Sequence, residues 1–482
     1  MDKWQKDKKM KPIRENSCNS WAKKIIKTLD SRKFEKGKRT QFYLNIAAGL
    51  IMVFLIMPGL ESTRWGESLL NSAFDRFIAS EAKAAVKTNE DPGELLLLDI
   101  GFVKKNGIKE KEAEGKTNFL SPRDTIARLL TMAFTGNASV VVLDFALEEN
   151  DCCHPERDEQ LRKVLADNTN KRTKVIFPVR TVCTDSTCKY EKIQPLIFDA
   201  EIDQNPNYTR AASTLLASPE DAVVRHWKVF HQYKEKEDAL KKILWSLPVL
   251  AVALQKDKEK DLKNLEALLE TDNKIAGYSL DFNNTGEKKE LFLPLQETDP
   301  YRQRIRFRLI PKDCIDGSPE GNIRVTAAEY LKPEGFKNKI VIIGNSDPAV
   351  GDVLSTPVGN MPGMYIQTNA IHTLLEGFQP KSPPWWVSVL INLFIIIGAA
   401  YLFHYTESFL MDLMVWLIGI FGFGALGYYC FFKSYGIVPN YVFGIAAIGY
   451  IEIMNSLKDL LVKNKKKNSP QITQINTDYI LE

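Results

Sequence analysis

Seven polar residues are spaced along the chain so that each stands at or just beyond a short apolar run: Asp99, Arg123, Asp144, Arg180, Asn345, Ser346 and Asp352. Carboxylates, guanidiniums, an amide and a hydroxyl drawn to one place can hold a small polar or zwitterionic ligand. The same residue types also cap helices and form ion pairs that hold loops, and both readings stay open at this point. A metal held by Asp99 and Asp144 has no support in the spacing of the chain. Catalysis has little more. The five His residues fall in no GxSxG or HExxH pattern, and no nucleophile stands beside a base. The expectation is a protein without enzymatic activity, metal or cofactor. Gly344-Asn345-Ser346 follows a strand-like run as a phosphate loop would, but no GxxxxGK[ST] is present. Gly344 reads as the tight exit from a strand.

The elements that must position these residues alternate. Glu94–Ile100 is a continuous apolar run suited to a strand covered on both faces. The spacing of Ile126, Leu129, Leu130 and Ala133 predicts a helix over Pro122–Phe134, opened by Ser121 and Pro122. Ser139–Phe145 is a second strand, Glu156–Ala166 a second amphipathic helix, and Lys174–Val179 a third strand. This order gives a parallel sheet with right-handed crossovers. Lys339–Gly344 adds another buried strand, and Val223–Phe230 and Ile305–Ile310 are further expected sheet members. Tyr233–Thr271 is rich in Lys and Glu and reads as an insertion with a helix over Ile243–Leu254. In open parallel sheets, ligands bind beyond the carboxyl ends of the strands. That edge would gather the seven residues, with Asp99 and Asp144 at the ends of adjacent strands.

An average composition of 44% hydrophobic and 26% charged residues reads like a soluble protein. The apolar residues are unevenly spread, however. Residues 42–60, FYLNIAAGLIMVFLIMPGL, carry no charge. About 20 apolar residues at about 1.5 Å each cross a hydrocarbon core of about 30 Å. Residues 385–404, 409–432 and 437–455 are three further candidates, joined by short loops. Basic residues crowd the tail at 1–41 and recur at Lys463–Lys467, in the tail 456–482. Cytoplasmic flanks are basic. Both tails therefore stay inside, and residues 61–384 lie outside. The net charge of +4 is too small and too local to suggest nucleic acid. Trp65–Val86 should be a helix continuing from the first span into the outer domain.

An oxidising compartment allows disulfides. Cys152 and Cys153 follow the second strand, and Cys183 and Cys188 follow the third. Neighbouring parallel strands put both loops on one edge, so bridges among these four are expected. A zinc site that also uses His154 is a remote alternative, since the spacing matches no standard zinc pattern, and free thiols are the other.

Several segments in order resemble a known family, the type-two CHASE domain. They are LLLLDI at 95–100, Ser121-Pro122-Arg123, VVVLDF at 140–145, the Asp221 to Arg225 D-x-x-x-R segment and SLPVLAVAL at 246–254. KIVIIGNSDPAVGD at 339–352 and TPVGNMPGMYIQTNAIHTLLEG at 356–377 complete the series. The family's usual tryptophan before Ser121 is Leu120 here. The resemblance implies a sensory domain outside a bacterial inner (plasma) membrane, followed by three spans and usually by a cytoplasmic output domain. The expected fold is an α/β extracytoplasmic domain with a central, mostly parallel sheet, plus four transmembrane helices. Residues 456–482 leave no room for an output domain, so the expectation is a membrane sensor that signals through its spans or tails to a separate effector protein. Its ligand would be an unidentified small molecule. A homodimer is compatible with this reading, though the sequence shows no seam. A docking subunit of an envelope complex is the main alternative, and an extracytoplasmic enzyme the remote one.

Overall fold

The computed structural model describes residues 64–88, 93–100, 123–145, 147–150, 154–168, 172–183, 191–219, 221–234, 242–271, 277–281, 290–294, 302–309, 333–346, 352–377 and 385–405, with single helical positions between 42 and 51. Some side chains within these ranges are outside the described set. Two compact units are present: residues 64–382 with 427–438, and residues 1–63, 383–426 and 439–482.

The larger unit begins with α1 (Arg64–Thr88), then β1 (Leu95–Asp99), α2 (Arg123–Thr135), β2 (Val140–Asp144), α3 (Pro155–Ala166) and β3 (Lys174–Val179). β4 (Thr181–Cys183), β5 (Glu191–Ile193), α4 (Asp199–Gln204), β6 (Tyr208–Ala212), β7 (Leu215–Ala217), β8 (Val224–Lys228), β9 (Phe230–Tyr233) and β10 (Lys242–Trp245) follow. Next come α5 (Leu247–Gln255), α6 (Glu259–Thr271), β11 (Gly277–Asp281), β12 (Glu290–Pro294), β13 (Arg302–Arg304) and β14 (Ile340–Gly344). β15 (Val353–Thr356), β16 (Gly359–Pro362) and α7 (Gly363–Leu375) complete the unit, and α8 (Trp385–Tyr405) belongs to the other.

The centre is a five-stranded parallel sheet in the order β1-β14-β2-β3-β6. β1, β14, β2 and β3 are apolar along most of their length because both faces are covered. Leu96, Leu98, Val141, Leu143, Val175, Phe177, Val341 and Ile343 point to the side of α2 and α3, where Ile126, Leu130, Leu161 and Leu165 complete one core. The alternate residues Leu95, Leu97, Val140, Val142, Ile176, Ile340 and Ile342 are equally buried, on the side of α5 and α7.

The strand order corrects one expectation. β14 lies between β1 and β2, so Asp99 and Asp144 are not on neighbouring strands. Both pair in register with Gly344 and share its rung. Sequence order carries no information about a strand that arrives two hundred residues later and inserts into the sheet.

Two other stretches differ from expectation. The helix foreseen over Ile243–Leu254 begins as strand β10. It turns helical only at Leu247, where Pro248 sits in the first turn and needs no donor. α5 is a covering layer of the sheet, with Leu247–Leu254 all buried, rather than part of an insertion. Of the expected strand Ile305–Ile310, the described residues 305–309 are not a strand. β13 ends at Arg304, and the next residues keep the alternating burial of a strand with Ile305, Phe307 and Leu309 inside. The backbone N–H groups of Arg306, Arg308 and Leu309 donate to side chains of α7 instead, at Thr373 (3.0 Å) and Asn369 (2.9 and 2.8 Å). Period-two burial records extension, and it cannot tell a sheet partner from a helix that offers amides and hydroxyls.

In the smaller unit, α8 presents Trp386, Leu390, Phe394 and Ile397 outward, while Asn392, Ile395, Ile396 and Ala400 are buried. A Cβ on Gly49 would stand 2.3 Å from Ile396 Cγ2, so the 46–51 helical positions approach α8 as closely as a glycine allows. Counting described side chains alone, no helix is long and apolar enough to cross a membrane. Of the 21 positions of α8, the side chains at 385, 388, 399 and 402–405 are outside that set. The segments 409–432 and 437–455 lie outside the described residues, as does most of 42–60.

Candidate functional site

The carboxyl edge of the sheet is built around β14. The helices that follow β1 and β2 lie on one face, and α7, which follows β14, lies on the other. Strands whose exits diverge in this way open a crevice between them, the position where ligands enter such sheets. The strand order therefore gives two candidate crevices beside β14, one toward Asp99 and one toward Asp144.

The first is filled by the protein itself. Asp99 is 2% exposed and accepts hydrogen bonds from the Ser346 N–H (2.9 Å) and the Tyr365 hydroxyl (2.7 Å). It ties the ends of β1 and β14 to α7. Gly344 permits this, since a Cβ there would come within 3.0 Å of the Met364 side chain. The Gly344-Asn345-Ser346 segment is thus shaped by a helix packed over it. Ser346 serves through its backbone, and Asn345 is half-buried beside it.

Arg123 is also taken up internally. It is fully buried at the start of α2, paired with Asp158 of α3, and donates to the carbonyl of Glu149. Two helices on one face of the sheet are clamped by this pair. In this conformation neither Asp99 nor Arg123 is open to a ligand.

The second crevice is different. Asp144 ends β2 half-buried, and its carboxyl is pushed up to about 7 by burial and by the charge of Asp352. Asp352 is raised as well, by burial, although the Gly363 N–H and the charge of Arg180 work against that. A Cβ on Gly363 would lie 2.3 Å from Asp352 Oδ2, so the glycine of the MPGMY segment makes room for this carboxylate at the N-terminus of α7. Arg180 is exposed just after β3 and reaches Glu148, itself nearly buried, at 3.6 Å. The structure thus brings Asp144, Asp352, Arg180 and Glu148 to one edge: three carboxylates against one guanidinium, with one carboxyl half-protonated near neutrality. Such a group can exchange its proton for a cationic ligand atom at small cost. Among the described residues no group of three or more His, Cys, Asp or Glu is placed to hold a metal ion. Glu148 escaped sequence reading because it lies in the loop after β2, where nothing in its spacing marks it.

Cys152, Cys153 and Cys188 lie outside the described residues, and of Cys183 only its backbone, closing β4, is described.

A second polar cluster, unforeseen, fastens α1. Arg225, 3% exposed, donates to both Asp75 and Asp221, bonding Asp75 Oδ2 and Asp221 Oδ2 at 2.6 Å each. Asp221 is held below the usual carboxylate range chiefly by the Arg225 hydrogen bond. The D-x-x-x-R segment is therefore an anchor for α1. Arg304 lies over the Phe74 ring at 3.8 Å and donates to Asn71. Arg306 joins Glu81 of α1 to Glu376, which closes α7. The strict alternation of Arg304, Arg306 and Arg308 with Ile305, Phe307 and Leu309 was the available signal.

No curated protein and no solved structure matches the chain. The CHASE2 domain matches over residues 47–403, nearly three quarters of the sequence, and includes every residue of the sheet edge and of the α1 anchor. The chain belongs to the CHASE2 domain family, a family of sensory domains.

Proposed function

We propose that this protein is a membrane-anchored extracytoplasmic sensor. It binds a small cationic or zwitterionic ligand at Asp144, Asp352, Arg180 and Glu148, and passes the signal to a separate effector protein through its spans or tails. The observation that carries the reading is the Asp144–Asp352 pair beside the β14 crevice. Burial first, and then the charge of Asp352, hold Asp144 near 7, and a positive ligand group between the two carboxyls would offset both. Arg180 would take the ligand's carboxylate, if it has one.

Membrane anchoring is supported by the sequence of α8, which contains no Asp, Glu, Lys or Arg over 21 residues. At about 1.5 Å per residue this is about 30 Å, the thickness of a hydrocarbon core. The outward row Trp386, Leu390, Phe394 and Ile397 suits lipid. Basic tails at both ends favour a cytoplasmic location for both termini. A ligand shifts such a protein only through its different affinity for two states.

The test is a thermal-shift panel on the full chain in detergent, using amino acids, polyamines, Mg²⁺ and Ca²⁺ at pH 7. Stabilisation by a panel member that disappears in Asp144→Ala and Asp352→Ala supports the site. Shifts that survive both substitutions contradict it.

A further inference from the structure

α7 touches the candidate site at one end and the α1 anchor at the other. At its start, the Gly363 N–H donates to the Asp352 backbone carbonyl (2.9 Å), the glycine leaves space for the Asp352 carboxylate, and Tyr365 holds Asp99. Every residue from Gly363 to Leu374 is buried. A helix packed on all sides moves as a unit, because a close-packed interior does not absorb displacement. At its end, Glu376 accepts from Arg306 (2.9 Å) and Arg308 (2.6 Å). Arg306 turns its Nε (3.0 Å) and its second amino group to Glu81. One guanidinium therefore bridges α7 and α1. Burial works against its charge, but the hydrogen bond and charge of Glu81, with the charge of Glu376, outweigh it and hold Arg306 above its ordinary value. Thr373 of α7 also accepts from the backbone N–H of Arg306, and Asn369 from those of Arg308 and Leu309. Both helices lead out of the domain: α1 starts at Arg64, just after the 42–60 segment, and α7 ends ten residues before α8.

We infer that α7 is the rod, and Arg306 between Glu376 and Glu81 the latch, by which occupancy at Asp352 reaches α1 and the chain ends of the domain. The inference rests on the reading of the Asp144–Asp352 edge as the input. A guanidinium with carboxylates on two helices has two discrete arrangements, shared between them or given to one. Movement of α7 at Asp352 changes which holds, and α1 is then more or less tightly fastened at Glu81, while Arg225 and Arg304 keep its N-terminal half in place.

The test is hydrogen exchange of the full chain in detergent, comparing wild type, Asp352→Asn, Glu376→Gln and the double variant. Asp144→Asn serves as a second input if Asp352→Asn loosens α7 as a whole. The expected result is a change in exchange of residues 75–88 by about two- to thirtyfold in Asp352→Asn, absent in the double variant relative to Glu376→Gln, while residues 353–363 respond in both. A response at 353–363 without one at 75–88, or an α1 response that persists equally in the Glu376→Gln background, overturns the latch and leaves the site intact. No response at 353–363 to either input removes the site reading and the latch with it.

Discussion

Asn in place of Asp144 removes a titration that the fold disfavours. The side chain holds its proton up to about 7 in the folded protein, against 3.8 for an unstrained carboxyl. Between these values the folded state binds more protons than the unfolded chain, so stability falls as pH rises through that window and is lowest above 7. At about 1.4 kcal/mol per unit, the shift sets a ceiling of about 4 kcal/mol. Relaxation and water at a half-buried site bring the expected value to about 1–2 kcal/mol. Asp144→Asn is nearly isosteric and cannot ionise. It should unfold at a higher temperature than wild type at pH 8, by about 2–4 °C. The difference should shrink as pH falls, with most of it gone near pH 4.5 and full convergence only below about 3.8. The assay is thermal unfolding of the full chain in detergent at pH 4.5, 6, 7 and 8. Asp352→Asn, which removes the repelling charge, should move the wild-type crossover to lower pH. If Asp144→Asn instead destabilises the protein and does so more at pH 8 than at pH 4.5, Asp144 is a paired anion and the account of the edge fails.

Arg123→Ala leaves Asp158 buried without its cation and should cost about 3–5 kcal/mol, seen as an earlier denaturant midpoint; a loss below about 1 kcal/mol would mean the α2–α3 clamp is slack. Tyr365→Phe removes one of the hydrogen bonds to Asp99 at nearly constant volume and should cost about 1–3 kcal/mol, measured in the same way. Gly363→Ala drives a Cβ into the Asp352 carboxylate and should destabilise by about 1–3 kcal/mol, with partial recovery in the Asp352→Gly background; no recovery would mean the glycine serves a different contact.

The strands and helices around the site were legible because a doubly covered parallel sheet writes itself as apolar runs, and its helices as three-to-four spacing. Leu95–Asp99, Val140–Asp144 and Lys174–Val179 fall within the expected stretches for this reason. β6, the fifth strand, was not legible: Tyr208–Ala212 includes Thr209 and Arg210, both half-buried, because an edge strand is only partly covered. The seven candidates did gather toward one edge, as the strand-end rule requires. The sequence could not divide them, because partners decide. Tyr365 and Ser346 take Asp99, Asp158 takes Arg123, and these partners sit up to 266 residues away. What is left open, Asp144 with Asp352, is distinguished only by what fails to neutralise it.

A sensor of this kind has residues 61–384 outside the cell membrane and both tails in the cytoplasm. Lys263, exposed on α6, offers a direct measurement. Lys263→Cys should take up a membrane-impermeant maleimide in intact spheroplasts, above the labelling of the parent chain. A cysteine placed at Lys467 should label only after lysis. Labelling of the Lys467 position in intact spheroplasts, with Lys263→Cys silent until the membrane is opened, would contradict the sensor reading at its root.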